Sequence, residues 1–104
     1  MPDLFRRWRI VEVDDAWDLD LDIEEPARLD VGREGRGEMV FFLVRASVDA
    51  RRVTDTRFDF TWDGQWELDE QSGRGVAELG DDGDLRVHLW IHFGDELRLR
   101  ATPS

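Results

Sequence analysis

The two histidines of this chain, His88 and His92, stand four residues apart with Trp90 between them, and the second runs into Gly94-Asp95-Glu96. An imidazole beside a carboxylate is a common acid/base pair near neutral pH. The chemistry to expect is proton transfer at His92, with Asp95 or Glu96 reaching across a turn to orient its ring and favour its charged form. The competing account is structural: Asp95 caps a hairpin and His92 bonds to it. The chain has no cysteine and no serine marked out as a nucleophile, so an enzymatic reading rests on His92, Asp95 and Glu96 alone. The pair does not make a zinc site. Four residues along a strand span about 13 Å, and the zinc-binding i, i+4 pattern belongs to helices.

Two acidic stretches could suggest calcium. In Asp14 to Glu25, Asp18, Asp20 and Asp22 alternate with Leu19, Leu21 and Ile23, but the glycine of a calcium loop is missing and the intervening residues are bulky. An extended segment with one face on the protein and one in water suits it better. Asp81-Asp82-Gly83-Asp84 reads as a hairpin turn that needs no ion. Gly73-Arg74-Gly75 precedes a strand and lacks the lysine of a phosphate loop. No metal and no cofactor are therefore expected.

The elements that must position these residues are strands. Phe58, Phe60 and Trp62 alternate with Asp59 and Thr61; Leu85, Val87, Leu89, Ile91 and Phe93 repeat the pattern, followed by Leu97, Leu99 and Ala101. Period-two alternation broken by Gly/Asp clusters predicts antiparallel strands with one buried face. Eight are expected: Phe5 to Val13, Ala27 to Gly32, Gly37 to Val44, Ala46 to Val53, Arg57 to Trp62, Gly73 to Leu79, Leu85 to Phe93, and Glu96 to Ala101. Asp63-Gly64 is expected to open a loop, and the small Gly75 and Ala77 to let the sheet bend around Phe58, Phe60 and Trp62. A meander of eight strands has exposed edges unless it closes. The predicted fold is an all-β, closed or nearly closed up-and-down barrel in one domain, residues 1–104; the alternative is a strongly curved open sheet or a two-sheet sandwich. Met39 to Val44 is apolar on both faces, which calls for a cover from residues 14–25 or from a second subunit.

A formal charge of −11 with 38% charged and 40% hydrophobic residues fits a globule rather than a disordered chain, and disfavours direct binding to nucleic acid. All 14 basic residues are arginines; with no Lys, Asn or Tyr, whose codons are A/T-rich, this points to a high-GC genome. The first ten residues carry three arginines and no long apolar run, so neither a leader nor a membrane span is expected, and a cytoplasmic location is the default.

Five tryptophans is a high count for 104 residues. Trp8 and Trp62 fall on apolar faces; Trp17 and Trp66 fall in loops and Trp90 on an outer face. Exposed tryptophans are good partner anchors, and Trp62-Asp63-Gly64-Gln65-Trp66 suggests a rim. The expected function is a non-enzymatic module that uses an acidic surface and a tryptophan-bearing rim to bind a protein or itself. The alternative is a carrier of a small apolar molecule held inside the barrel against Phe58, Phe60, Trp62 and Leu89.

The succession Gly37-Glu38-Met39-Val40-Phe41, Phe60-Thr61-Trp62-Asp63-Gly64, Ser72 to Leu79, Asp82-Gly83-Asp84-Leu85 and His92 to Glu96 resembles a group of short, uncharacterised bacterial proteins. That resemblance implies a shared fold and brings no activity. More loosely, an early Trp8 with a late Arg98 or Arg100 looks like lipocalin and fatty-acid-binding-protein barrels, in which such a pair closes one end. Arg6 stands where lipocalins have glycine, and the chain is shorter than theirs.

Overall fold

The computed structural model describes residues 4–13, 26–66, 68–91, 94 and 96–104. Trp17, His92, Phe93, Asp95 and the acidic segment 14–25 lie outside the described residues. Eight strands follow one another: β1 (Arg7–Val13), β2 (Arg28–Val31), β3 (Arg36–Phe41), β4 (Val44–Arg52), β5 (Arg57–Trp66), β6 (Asp69–Leu79), β7 (Leu85–Ile91) and β8 (Glu96–Pro103). Each pairs antiparallel with the next, and β8 pairs with β1 through Trp8↔Pro103 and Ile10↔Ala101, so the sheet is a closed barrel. The expected meander and its closure are both present. This is an architecture compatible with the lipocalin-like barrels.

Alternation decides which residues fill the interior. Ile10, Leu29, Met39, Phe41, Val48, Phe58, Phe60, Val87, Leu89, Leu97 and Leu99 all point inward and are buried, in one cluster. The bulkiest of them face the smallest. Phe58 lies opposite Ala77, Phe60 opposite Gly75 and Trp62 opposite Gly73 across the β5–β6 ladder, as the spacing of small residues in Ser72 to Leu79 leads one to expect. Phe58 meets Phe5 edge-on at 5.6 Å and the tilted Phe60 at 6.0 Å, both favourable geometries for aromatic pairs.

Three local expectations are corrected. First, β5 does not end at Trp62, and Asp63-Gly64 is not a loop: the ladder runs on through Asp63↔Ser72 and Gly64↔Gln71 to Trp66↔Asp69. Gly64 is there for close approach, because a Cβ on it would fall 2.1 Å from the carbonyl oxygen of Arg45 on β4. A strand glycine that lets a neighbour come close reads in sequence like a turn glycine. Second, β3 stops at Phe41 and the chain reverses at Phe42-Leu43, with Phe42 at φ 51°. The continuous apolar run hides a tight hairpin, since the residue that takes the left-handed conformation is neither Gly nor Asn. Val40, on the outer face yet only 1% exposed, is flanked on its rungs by Arg28 and Arg45, whose guanidinia both converge on Glu38. Arginine stems beside an outward valine account for part of the cover that the sequence demands.

Third, the arginine against Trp8 is neither Arg98 nor Arg100. Trp8 points inward, its indole N–H donating to the Leu4 carbonyl at 3.0 Å, and the cation over its ring is Arg6 at 5.6 Å. Arg100 faces outward to Asp84 at 2.8 Å and Glu12 at 3.2 Å. Parity makes this unavoidable: in β8 the inward residues are Leu97, Leu99 and Ala101, so Arg98 and Arg100 stand on the outer wall.

The β6–β7 connection is a tight hairpin turn, as expected. Gly80 N–H bonds to Asp84 O at 2.8 Å, Gly83 takes φ 85°, and Asp82 Oδ1 accepts from Asp84 N–H at 3.0 Å. The Arg86 guanidinium, 2.9 Å from Asp82 Oδ2, with help from the Asp84 N–H, holds the Asp82 carboxyl down at about 2. A carboxylate with a lowered folded value stabilises above its ordinary value of 3.8 and loses that contribution as pH falls towards the folded one. Melting temperatures taken from about pH 5 to about pH 2 should therefore fall less steeply between about 4 and 2 in Asp82→Asn than in the wild type. The difference should shrink in high salt because the pair is exposed; identical slopes would remove this pair from the account of acid stability.

Candidate functional site

The outer wall of β6, β7 and β8 carries the densest arrangement of interacting side chains among the described residues. Three rungs build it. Arg74 lies opposite Trp90, which lies opposite Glu96; Val76 opposite His88, opposite Arg98; and Glu78 opposite Arg86, opposite Arg100, with Glu12 of β1 completing the last row. Neighbours on adjacent strands are about 5 Å apart on one face, so long side chains on these rungs must meet.

They meet as a column. The His88 ring stacks on Trp90 with centroids 3.9 Å apart and planes 20° from parallel, and the Arg74 guanidinium lies 4.8 Å from the Trp90 centroid. His88 Nε2 is 2.9 Å from Glu96 Oε2. Trp90 is thus held by an imidazole and a cation, which fixes its rotamer on a half-buried surface. Beside the column lies a depression of about 410 Å³ bounded by Glu12, Val76, Glu78, Arg86, His88, Arg98 and Arg100. Arg86 and Arg100 are positioned by the hairpin: Asp82 raises the pKa of Arg86, and Asp84 and then Glu12 raise that of Arg100. A second, wider depression of about 780 Å³ crosses β3 to β6 and is lined by Ser47, Asp49, Thr61, Asp63 and Ser72. It has no aromatic column.

No family model, curated protein or solved structure matches the chain.

The histidine that meets Glu96 among the described residues is His88, on the outer face of β7 two positions before Trp90. His92 and Asp95 lie outside the described residues. His88 with Glu96 can hold and move a proton, but the residues bounding the depression include no hydroxyl or thiol, and no group of three or more His, Cys, Asp or Glu is placed to hold a metal ion among the described residues. Phe58, Phe60 and Trp62 are core residues, at 0%, 3% and 4% exposure. Trp66 is the half-buried last residue of β5, within the sheet rather than in a loop. Trp90 is half-buried on the outer face, as its parity requires. Arg74 and Arg98 complete the wall; the sequence marks Arg98 only as a candidate partner of Trp8 and Arg74 only within a stretch unlike a phosphate loop. A two-residue turn at Gly94-Asp95 would pair His88 with Ala101, whereas the observed register pairs it with Arg98, so the sequence held no signal for this rung.

Proposed function

We propose that the chain is a non-enzymatic interaction module that engages a protein partner through the outer wall of β6–β8. The observation that carries this is the column of His88, Trp90 and Arg74. It holds a large amphipathic side chain in one orientation before any partner arrives, so little side-chain entropy is lost on docking. Tryptophan and arginine together are the residues that most often dominate protein interfaces. The charge of −11 acts at longer range, drawing in a partner of net positive charge.

The test is quantitative capture from the native host, with the wild type, Trp90→Ala and Trp66→Ala used side by side after circular dichroism has confirmed their folds. A hot-spot tryptophan costs about 2 kcal/mol or more when truncated. A chain retained by the wild type should thus be lost by at least about thirtyfold with Trp90→Ala and held by Trp66→Ala. A partner retained equally by Trp90→Ala would place the interface elsewhere.

A second reading, a carrier for a small molecule inside the barrel, is favoured by one observation. The Nε1 of Trp62 is buried and has no hydrogen-bond acceptor among the described residues. A ligand that supplied an acceptor there would remove the cost of an unsatisfied donor, about 1–3 kcal/mol. Native mass spectrometry of protein purified from its host distinguishes the two, since a carrier retains its cargo and an interaction module does not.

A further inference from the structure

The depression beside the column has a property that docking of a protein on Trp90 does not use. The chain carries a formal charge of −11, yet the lining of this depression counts Arg86, Arg98 and Arg100 against Glu12 and Glu78, with His88 in addition. Arg86 and Arg100 are offset by their carboxylate partners, which leaves Arg98 as the lining arginine not offset among the described residues. Arg86 and Arg100 are tied through their terminal nitrogens to Asp82, Asp84 and Glu12, which fixes where those cations stand. Glu96 is engaged by His88. Arg98, on the same rung as His88 and Val76, is exposed and has no carboxylate partner among the described residues. Its guanidinium offers five N–H donors in a planar fork. Val76, half-buried on the same rung, gives the depression an apolar floor.

A guanidinium fork with no carboxylate partner among the described residues, beside an imidazole and over an apolar floor, suits one class of ligand. We infer that this depression binds a small molecule with an oxyanion, phosphate or carboxylate, on a compact apolar body. The oxyanion pairs with the Arg98 guanidinium. The body rests on Val76 against the edge of His88. A volume of about 410 Å³ lies within the range of small-molecule sites. Glu78, opposite Arg86 and without an ion pair among the described residues, opposes the anion, so it limits the affinity and sets a sign that can be tested. Because the site faces water, the dissociation constant is on the order of 1 mM.

The experiment is an NMR titration of the full chain with three probes: phenyl phosphate, benzoate and inorganic phosphate. The expected result is saturable shifts of the Val76 methyls, the His88 ring and Arg98 Nε with phenyl phosphate, and weaker binding of inorganic phosphate, which lacks the body. Phenyl phosphate binding more tightly than benzoate would assign a phosphoryl group as the anion, and the reverse order a carboxylate; either is the oxyanion inferred. Arg98→Gln should weaken binding about tenfold, whereas Glu78→Gln should tighten it; both side chains point outward, so the fold is kept. Three outcomes would overturn the inference: no saturable shift, equal shifts at the remote Arg33, Arg36 and Arg51, or unchanged affinity in Arg98→Gln. Capture by Trp90 is read separately, so loss of one result leaves the other standing.

Discussion

Phe58→Ala should lower the unfolding free energy by about 3–5 kcal/mol, the cost of emptying a buried phenyl site. Phe58 has no exposure, and its ring is held between Phe5 and Phe60. Ala77 lies directly opposite and is too small to fill the space that opens. The site cannot collapse readily, because closing it would require β5 and β6 to move together within a sheet that is hydrogen-bonded all the way round. Total stability for a domain of this size is about 5–15 kcal/mol, so the variant should lie close to the limit of folding. Chemical denaturation reads the effect directly. A loss under about 1.5 kcal/mol would mean that the interior rearranges around the gap. Phe58→Leu, which keeps most of the volume, gives a measurable value if the alanine variant does not fold.

Gly75→Ala should cost about 3 kcal/mol for the addition of one methyl group, at the upper end of the range for overpacking. A Cβ at Gly75 would fall 2.3 Å from Cζ of Phe60 and 2.7 Å from both Cε atoms, which presses it onto the face of the ring at its tip. Phe60 is 3% exposed and packed on Phe58, so its ring has nowhere to swing. The effect should depend on the partner. In a Phe60→Leu background the same substitution should cost at least about 1 kcal/mol less, a coupling of the size expected for residues in contact. Equal costs in the two backgrounds would show that the added methyl acts through the backbone of β6 and not through the ring.

Much of this barrel can be read from the chain, for a definite reason. Alternation is a local signal with a period of two, and closure follows from the number of strands and the lack of anything else to cover their edges. The pairing of Phe58, Phe60 and Trp62 with Ala77, Gly75 and Gly73 is legible in the same way, because large and small must add to a constant thickness across the interior. What was hidden depends on relations between strands. Gly64 reads as a turn because glycine marks turns and close approaches alike, and only the position of Arg45 on the next strand separates them. The turn at Phe42-Leu43 is concealed by apolar residues in a conformation that usually selects glycine. The functional wall is harder still. His88, Trp90, Arg74, Arg98 and Glu96 come from three strands, and only the register of two ladders brings them together. One register step would turn His88 and Trp90 inward.

The ladder between β1 and β8 differs in kind from the other seven. Those seven are hairpins or short-range reversals, whereas the Glu12–Arg100 pair spans 88 positions along the chain, and the register slips there between Ile10 and Glu12. Entropy of loop closure delays such a contact until the rest of the meander exists, so this seam acts as a latch. It should also be the first place where amide protons of the barrel exchange with solvent. An opened latch exposes two unpaired strand edges, and their natural complements are the matching edges of another opened copy. At high protein concentration or after partial denaturation, exchange of β1 or β8 between copies is then the route by which this barrel would form dimers.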